Sequence, residues 1–508
     1  MKLAIFHYHL NPGGVTDVIV FSVRILLSRL DIIQEIRLVT GCRDNTERVL
    51  GRIRDGFERG QRDKIRLDVL DEIAYTERGQ GPNPNRLAER LEARYDKDTV
   101  LWVHNHHIGK NPAFTMALMR IAAQGRRDML LQIHDFPECG RSENLKRIDN
   151  LLNEPPYPSG PRIRYAVINK RDLNILLNAG LEGSVYLLSN PVSISGLKKI
   201  NAIETRKALE QLPNNPGYIP GAPILLYPVR AIRRKNILES ALFARILYHP
   251  ANLIVTLPGL STQEKPYSNL VEGAYREGLI SGAWCPESSG DARLDYAHLI
   301  SSCDAIISSS IQEGFGYLFL NSLLWQKPLL ARYLDILDGI LELFGDYPRR
   351  FWTDFRIPAA PELVERTKKG YLDKIEQLKF FTPEKALKSI STAVSKLAMG
   401  GGIDVSYLSA EDQLAALRLA LEDAAWLNKT RILNQELLES AERTLKAKPQ
   451  RMNKVVESHL GESRYLKSFI EVIRSLGSKR RITSPERISK NVRKAFGRID
   501  YLRLIYDI

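Results

Sequence analysis

The chain has 508 residues, 44% of them apolar, and a formal net charge of +14. That length suits two or three domains with full cores, and no apolar run reaches the roughly 18 residues of a membrane span. The first residues pass through one lysine straight into a strand, without a signal-peptide pattern, and the four cysteines, Cys42, Cys139, Cys285 and Cys303, lack metal spacing, so a reduced, cytoplasmic protein is expected.

In chain order, β-rich runs fall at Leu3–Tyr8, Ile36–Thr40, Arg66–Leu70, Val100–His104, Met129–His134, Tyr165–Ile168 and Val185–Leu188. Helix-period segments begin near Gly14, Asn85, Pro112, Arg141 and Lys170. Alternating β and α units predict a parallel sheet covered on both faces. A Pro/Asn/Gly-rich stretch from Leu212 to Pro223, which includes Asn214, reads as a linker. The alternation then restarts with Ile224–Val229, Leu253–Leu257, Ile280–Cys285, Ala305–Ser309 and Leu329–Ala331. Beyond Pro358 the pattern is helical, with Ala410–Asn428, Thr430–Ala447, Lys454–His459, Arg464–Leu476 and a last helix capped by Ser484-Pro485. The fold class is therefore α/β, with a Rossmann-like domain over 1–200, a second over 215–358, and a helical extension over 359–508. From Arg443 onward there are 17 Lys and Arg against 6 Asp and Glu. On the last helix Ile488, Val492, Phe496, Ile499 and Leu502 share one face, opposite Arg487, Lys490, Arg493, Lys494 and Arg498. Such a helix fits core packing with a solvated basic face, or peripheral contact with an anionic membrane. Aromatic residues are sparse there, which argues against nucleic acid.

Ligands of parallel sheets bind beyond the C-terminal strand ends, and chemistry-bearing residues gather there. Arg230 and Lys235 follow the strand Ile224–Val229, with Arg233 and Arg234 between them. The strand near Ser308 runs into Glu313-Gly314-Phe315-Gly316-Tyr317 and a helix that carries Asn321. A helix N-terminus offers free N–H groups to an anion, and charge-assisted bonds from Arg and Lys are worth about 1.5–3 kcal/mol each. Glu313 would accept hydrogen bonds from sugar hydroxyls, and the amides of Phe315 to Tyr317 would hold sugar or phosphate oxygens. This equipment suits a nucleotide sugar. Gly13 and Gly14 follow the first strand and would let the backbone approach a substrate. His134-Asp135 ends a strand on the expected ligand side, whereas His104, His106 and His107 have no partners at metal spacing.

The Gly13-Gly14 loop, His134, Arg230 with Lys235, Glu313-Gly-Phe-Gly and Ser189-Asn190-Pro191-Val192 together resemble the retaining GT-B glycosyltransferases of glycosyltransferase family 4, over roughly residues 1 to 345. The resemblance implies two Rossmann-like domains facing a cleft. It implies transfer of a hexosyl group from a nucleoside diphosphate sugar to an acceptor hydroxyl with anomeric retention and no metal or other cofactor. Arg230 and Lys235 would then stabilise the leaving diphosphate and His134 would contact the donor sugar. The family's second acidic residue is replaced by Asn321, a neutral group that still hydrogen-bonds a ribose hydroxyl. Fold analogy puts base contacts near Leu257–Gly259 and Trp284–Glu287. The segment His7–Gly14 resembles enzymes that mannosylate glucosyl-phosphoglycerate, which fits an anionic acceptor. Competing readings are a GT-B phosphorylase or epimerase, and a non-catalytic basic protein that binds membrane or RNA.

Overall fold

The computed structural model describes residues 1–76, 81–192, 200–213, 215–379, 382–398, 400–478 and 482–503. It forms two compact units, each assembled from separate stretches of chain.

The first unit comprises Met1–Ser193, Leu378–Ala386 and Glu457–Gly497. Its strands are β1 (Lys2–His7), β2 (Glu35–Thr40), β3 (Ile65–Val69), β4 (Thr99–His104), β5 (Met129–Ile133), β6 (Ile163–Val167) and β7 (Val185–Leu187). They lie parallel in the order β3-β2-β1-β4-β5-β6-β7. β4, β5 and β6 are buried along their whole length, the signature of a sheet covered on both faces. The core joins Ile5, Leu38, Trp102 and Leu130 to Tyr465, Phe469 and Val472 of the helix Glu462–Ser475. Chain order reverses between β1 and β4, and at such a switch point the loops diverge and leave room for a ligand.

The second unit comprises Ile194–Gln377, Leu387–Val456 and Arg498–Ile508. β8 (Ile224–Arg230), β9 (Asn252–Leu257), β10 (Gly282–Trp284), β11 (Ala305–Ser308), β12 (Leu329–Arg332) and β13 (Arg349–Trp352) form a parallel sheet in the order β10-β9-β8-β11-β12-β13. Its switch point lies between β8 and β11. β14 (Arg356–Pro358) and β15 (Gly402–Asp404) make a small antiparallel pair. The core packs Leu225, Leu253, Ile307 and Leu330 with Leu417 and Leu438 of later helices.

Several expectations need correction. The stretch 212–223 is not a free linker but part of the second unit, clamped onto β9 where Asn252 accepts from the Ile219 amide at 2.9 Å and donates to its carbonyl at 2.8 Å. Asn214 lies outside the described residues. The helix expected over Ala410–Asn428 breaks at Asp423, whose side chain caps the next helix, Ala424–Leu433, at the Trp426 amide. A second break falls at Asn434, which turns its side chain to the backbone of Arg356 and Thr430. β13, β14 and β15 and the helices Thr46–Arg54, Pro361–Leu378 and Glu384–Ser395 add to the expected elements.

The last helix, Pro485–Phe496, spends its apolar face inside the first unit. Ile488, Val492 and Phe496 are buried, and the Phe496 ring lies 5.1 Å from that of Phe136 with the Arg171 guanidinium over it at 5.6 Å. The face a bilayer would need is therefore occupied. No described helix is long and apolar enough to cross a membrane. Phe496→Ala should lower the unfolding free energy by about 3–5 kcal/mol, the usual loss for a buried aromatic side chain, and a urea titration measures it.

Candidate active site

The second unit builds a charged site across its switch point. β8 ends in Arg230, and a single tight turn then carries Arg233, Arg234 and Lys235. Asn236 closes that turn in the left-handed region, at φ 52°, and the helix Ile237–Ile246 begins behind it. On the other side β11 leads through Ser308–Ser310 to Glu313. The Lys235 ammonium pairs with Glu313 Oε1, and Arg234 Nη1 reaches Oε2 at 3.3 Å. Ser310 Oγ donates to Glu313 Oε1 at 2.7 Å, and the Tyr227 hydroxyl, 2.7 Å from Ser310 Oγ, donates to the Lys235 carbonyl at 2.8 Å. Glu313 and Lys235 are each 13% exposed at the side chain.

Electrostatics follows from that geometry. Burial alone would push the Glu313 carboxyl up, but the charges of Lys235 and Arg234 and the hydrogen bonds from Lys235 and Ser310 outweigh it and hold it at about 2. Burial pushes the Lys235 ammonium down, with Glu313 opposing and Arg234 assisting. Arg230 is engaged by Glu264 at 3.3 Å, and Glu264 also accepts from the amides of Leu260 and Ser261. Arg234 and Lys235 thus share the Glu313 carboxylate, and Arg230 is held by a second carboxylate, Glu264.

Gly316 ends this loop at φ 85°, where a Cβ would stand 3.2 Å from Phe319, so the turn into the helix Tyr317–Trp325 requires glycine. The N-cap position of that helix is Gly316 itself, which has no side chain to offer the helix start. Gly314 and Phe315 lie on the turn that leads into Tyr317, the first residue of the helix, and Asn321 is half-buried at the helix's middle. The structure therefore brings Arg230, Lys235, Glu313 and the Gly314–Tyr317 turn to one end of one sheet, and adds Arg234, which the basic run hid among its neighbours. Arg233 points the other way. It is buried over the Tyr267 ring and donates to the Leu408 carbonyl at 2.6 Å. Of the residues expected near the base, Trp284, Cys285 and Pro286 line a cavity of about 240 Å³ beside β10, whereas Leu257, Gly259 and Glu287 do not.

The first unit gathers its histidines at its own switch point. His134 follows β5, and its Nε2 lies 2.8 Å from His104 Nδ1 at the end of β4, with the two rings stacked at 5.1 Å. Trp102 stacks on His104 at 5.3 Å. Asn105, left-handed at φ 54°, accepts from the His134 amide at 2.8 Å. Burial holds His134 at about 4, His7 at about 3 and His104 well below the usual histidine range, so all three are neutral at pH 7. Asp135 pairs with Arg141 at 3.0 Å. His106 and His107 are interior: His106 Nε2 meets the Pro156 carbonyl at 2.9 Å, and His107 packs among Phe136 and Tyr157. His104 and Asn105 were missed as partners of His134, and a polar residue at positive φ has no sequence signal of its own.

Gly13 caps the helix Gly14–Arg29 with extended backbone, and a Cβ at either glycine would meet little or nothing. The fold does not need glycine at these two positions, and the absence of side chains leaves the helix start open to a ligand. Among the described residues no His, Cys, Asp and Glu group could hold a metal ion.

No protein-family model matches the chain. A mannosylglucosyl-3-phosphoglycerate synthase from Petrotoga mobilis is 30% identical over 449 residues, covering 87% of this chain and 85% of that protein. Among solved structures, Anabaena Alr3699/HepE, in complex with UDP-glucose, superposes with a TM-score of 0.50 at 15% identity, covering 94% of this chain and 100% of that one. The two parallel-sheet units are thus those of the GT-B fold.

Because Glu313 titrates at about 2 when folded against an ordinary value of 4.5, its ion pairs contribute fully above pH 4.5 and are lost as pH falls toward 2. The stability difference between wild type and Glu313→Gln should narrow across that window, as urea titrations from about pH 6 down to about pH 3 would read.

Proposed function

The chain belongs to the glycosyltransferase family of the Petrotoga mobilis synthase, and from that premise we propose that it is a retaining, metal-independent hexosyltransferase that moves a sugar from a nucleoside diphosphate sugar to a hydroxyl of an anionic acceptor. The observation that carries this reading is the convergence of Lys235 and Arg234 on Glu313 in the loop that leads into the helix Tyr317–Trp325. These groups offer positive charge to a diphosphate and a fixed acceptor carboxylate to sugar hydroxyls. The relative is named for a product that carries a phosphoglycerate, which supports an anionic acceptor here.

In the proposed step the acceptor oxygen bonds to the anomeric carbon while the bond from that carbon to the diphosphate oxygen breaks. The leaving diphosphate takes the acceptor's proton on the same face, which retains the configuration. Arg230, Arg234 and Lys235 stabilise the charge that develops on the diphosphate, the role that preorganised cations fill without reorganisation. Glu313, ionised throughout the neutral range, orients the donor sugar. His134, neutral and held by His104, hydrogen-bonds the sugar near the reacting carbon. Asn321 serves a ribose hydroxyl.

A thermal-shift screen with UDP, GDP and ADP sugars tests the donor site, since a ligand stabilises the native state by mass action. One nucleotide should raise the melting temperature in wild type and fail to do so in Lys235→Ala. Transfer from that donor should fall by about 100-fold or more in both Lys235→Ala and Glu313→Gln, as for loss of a transition-state donor. Full turnover in either variant would sink the assignment.

A further inference from the structure

The first unit holds a second gathering of charge that uses none of the residues assigned above. Three segments meet there: Tyr75-Thr76 after β3, Lys110 after β4, and the helix Ser142–Leu151, which carries Arg147 and starts at Arg141. The Thr76 amide donates to the Lys110 carbonyl at 3.0 Å, and Arg147 Nη2 donates to the Thr76 carbonyl at 2.5 Å and to its hydroxyl at 2.9 Å. The Lys110 ammonium sits 5.3 Å from the centre of the Tyr75 ring, and the His9 ring lies 4.9 Å from the same ring. Tyr75 is 45% exposed, so one aromatic surface of this cluster is open.

Among the described residues the ion pair of this cluster is that of Arg141, with Asp135 as partner. Among the described residues neither Lys110 nor Arg147 makes an ion pair. Lys110 is half-buried, and burial followed by the charges of Arg141 and Arg147 pushes its ammonium down. Partly desolvated like charges oppose folding, and the backbone contacts made by Arg147 need only a neutral donor. An anion that completes the set would relieve that cost, and the Tyr75 ring beside it offers an apolar face to the body of the same molecule.

We propose that Lys110, Arg141 and Arg147, beside the Tyr75 ring, bind the anionic group, phosphate or carboxylate, of the sugar acceptor. This rests on the transferase reading and assigns the acceptor's charge to named residues of the first unit.

Ligand-detected NMR titrations of the full chain test it, with glycerol 3-phosphate as the phosphate probe, glycerate as the carboxylate probe and UDP as the donor-site probe. Lys110→Met is the first variant, because the Lys110 side chain makes no hydrogen bond among the described residues and its loss should leave the fold intact. Wild type should bind at least one of the two acceptor probes, and the tighter one names the anionic group. Lys110→Met and Arg147→Met should each weaken that probe about tenfold or more, in the range of one charge-assisted bond, with UDP binding unchanged. Lys235→Met should weaken UDP alone. Undiminished probe binding in Lys110→Met, or no binding of either acceptor probe to wild type, would overturn the proposal. Failure of UDP and its GDP and ADP counterparts to bind while the acceptor probe still responds to Lys110→Met would instead remove the transferase reading and leave the anion site standing.

Discussion

The ion pair between Lys235 and Glu313 is the constraint on which the second unit's site depends. It joins the loop after β8 to the loop after β11, the two loops that diverge at the switch point. A buried carboxylate without counter-charge is penalised by several kcal/mol. Here Lys235, Arg234 and Ser310 share it, so both loops are held by the same two oxygens. The cations are thereby fixed in place by the fold itself. Charge stabilisation of this kind accelerates chemistry because nothing has to reorganise during the reaction.

The turn that presents Arg234 and Lys235 is itself anchored from behind. Asn236 donates to Glu239 at 2.5 Å, and Glu239 also accepts from Arg332 and from the Trp352 indole at 3.0 Å. Arg332 continues to Asp404 at 2.8 Å. This buried network runs from β12 and β15 to the residue whose left-handed backbone ends the turn. Buried ion networks add little net stability compared with well-packed apolar side chains. What this one supplies is direction: of three consecutive basic residues, Arg233 is drawn inward and Arg234 and Lys235 are left to face Glu313.

The expected strands of both parallel sheets were legible because a sheet covered on both faces writes itself as short apolar runs, as in Leu3–Phe6 and Val100–Val103. β13 was not, since Arg349 and Arg350 open it and an edge strand tolerates polar residues. The helix breaks at Asp423 and Asn434 were hidden because each depends on where one polar side chain finds a backbone partner. At the site, Arg230, Lys235 and Glu313 could be read from residue type at strand ends. The contribution of Arg234 could not, because four basic residues within six positions differ only in which way they face. The pairing of His104 with His134 brings together residues 30 positions apart on neighbouring strands, a matter of sheet order.

Charge counting and charge burial point to different parts of this molecule. The surplus beyond Arg443 is the largest in the sequence. On the last helix, however, Lys490 and Arg487 are exposed and Arg493 is paired with Asp149, so water or a carboxylate balances these charges. An exposed lysine costs nothing to keep and says little about ligands. Lys110 contributes one charge to the total of +14 and is invisible in any local count, yet it is half-buried and feels the charges of Arg141 and Arg147. Desolvation turns a cation into a demand for a partner. By that criterion the cluster beside Tyr75 says more about ligands than the basic terminal helix does, which is a solvated face on a packed core.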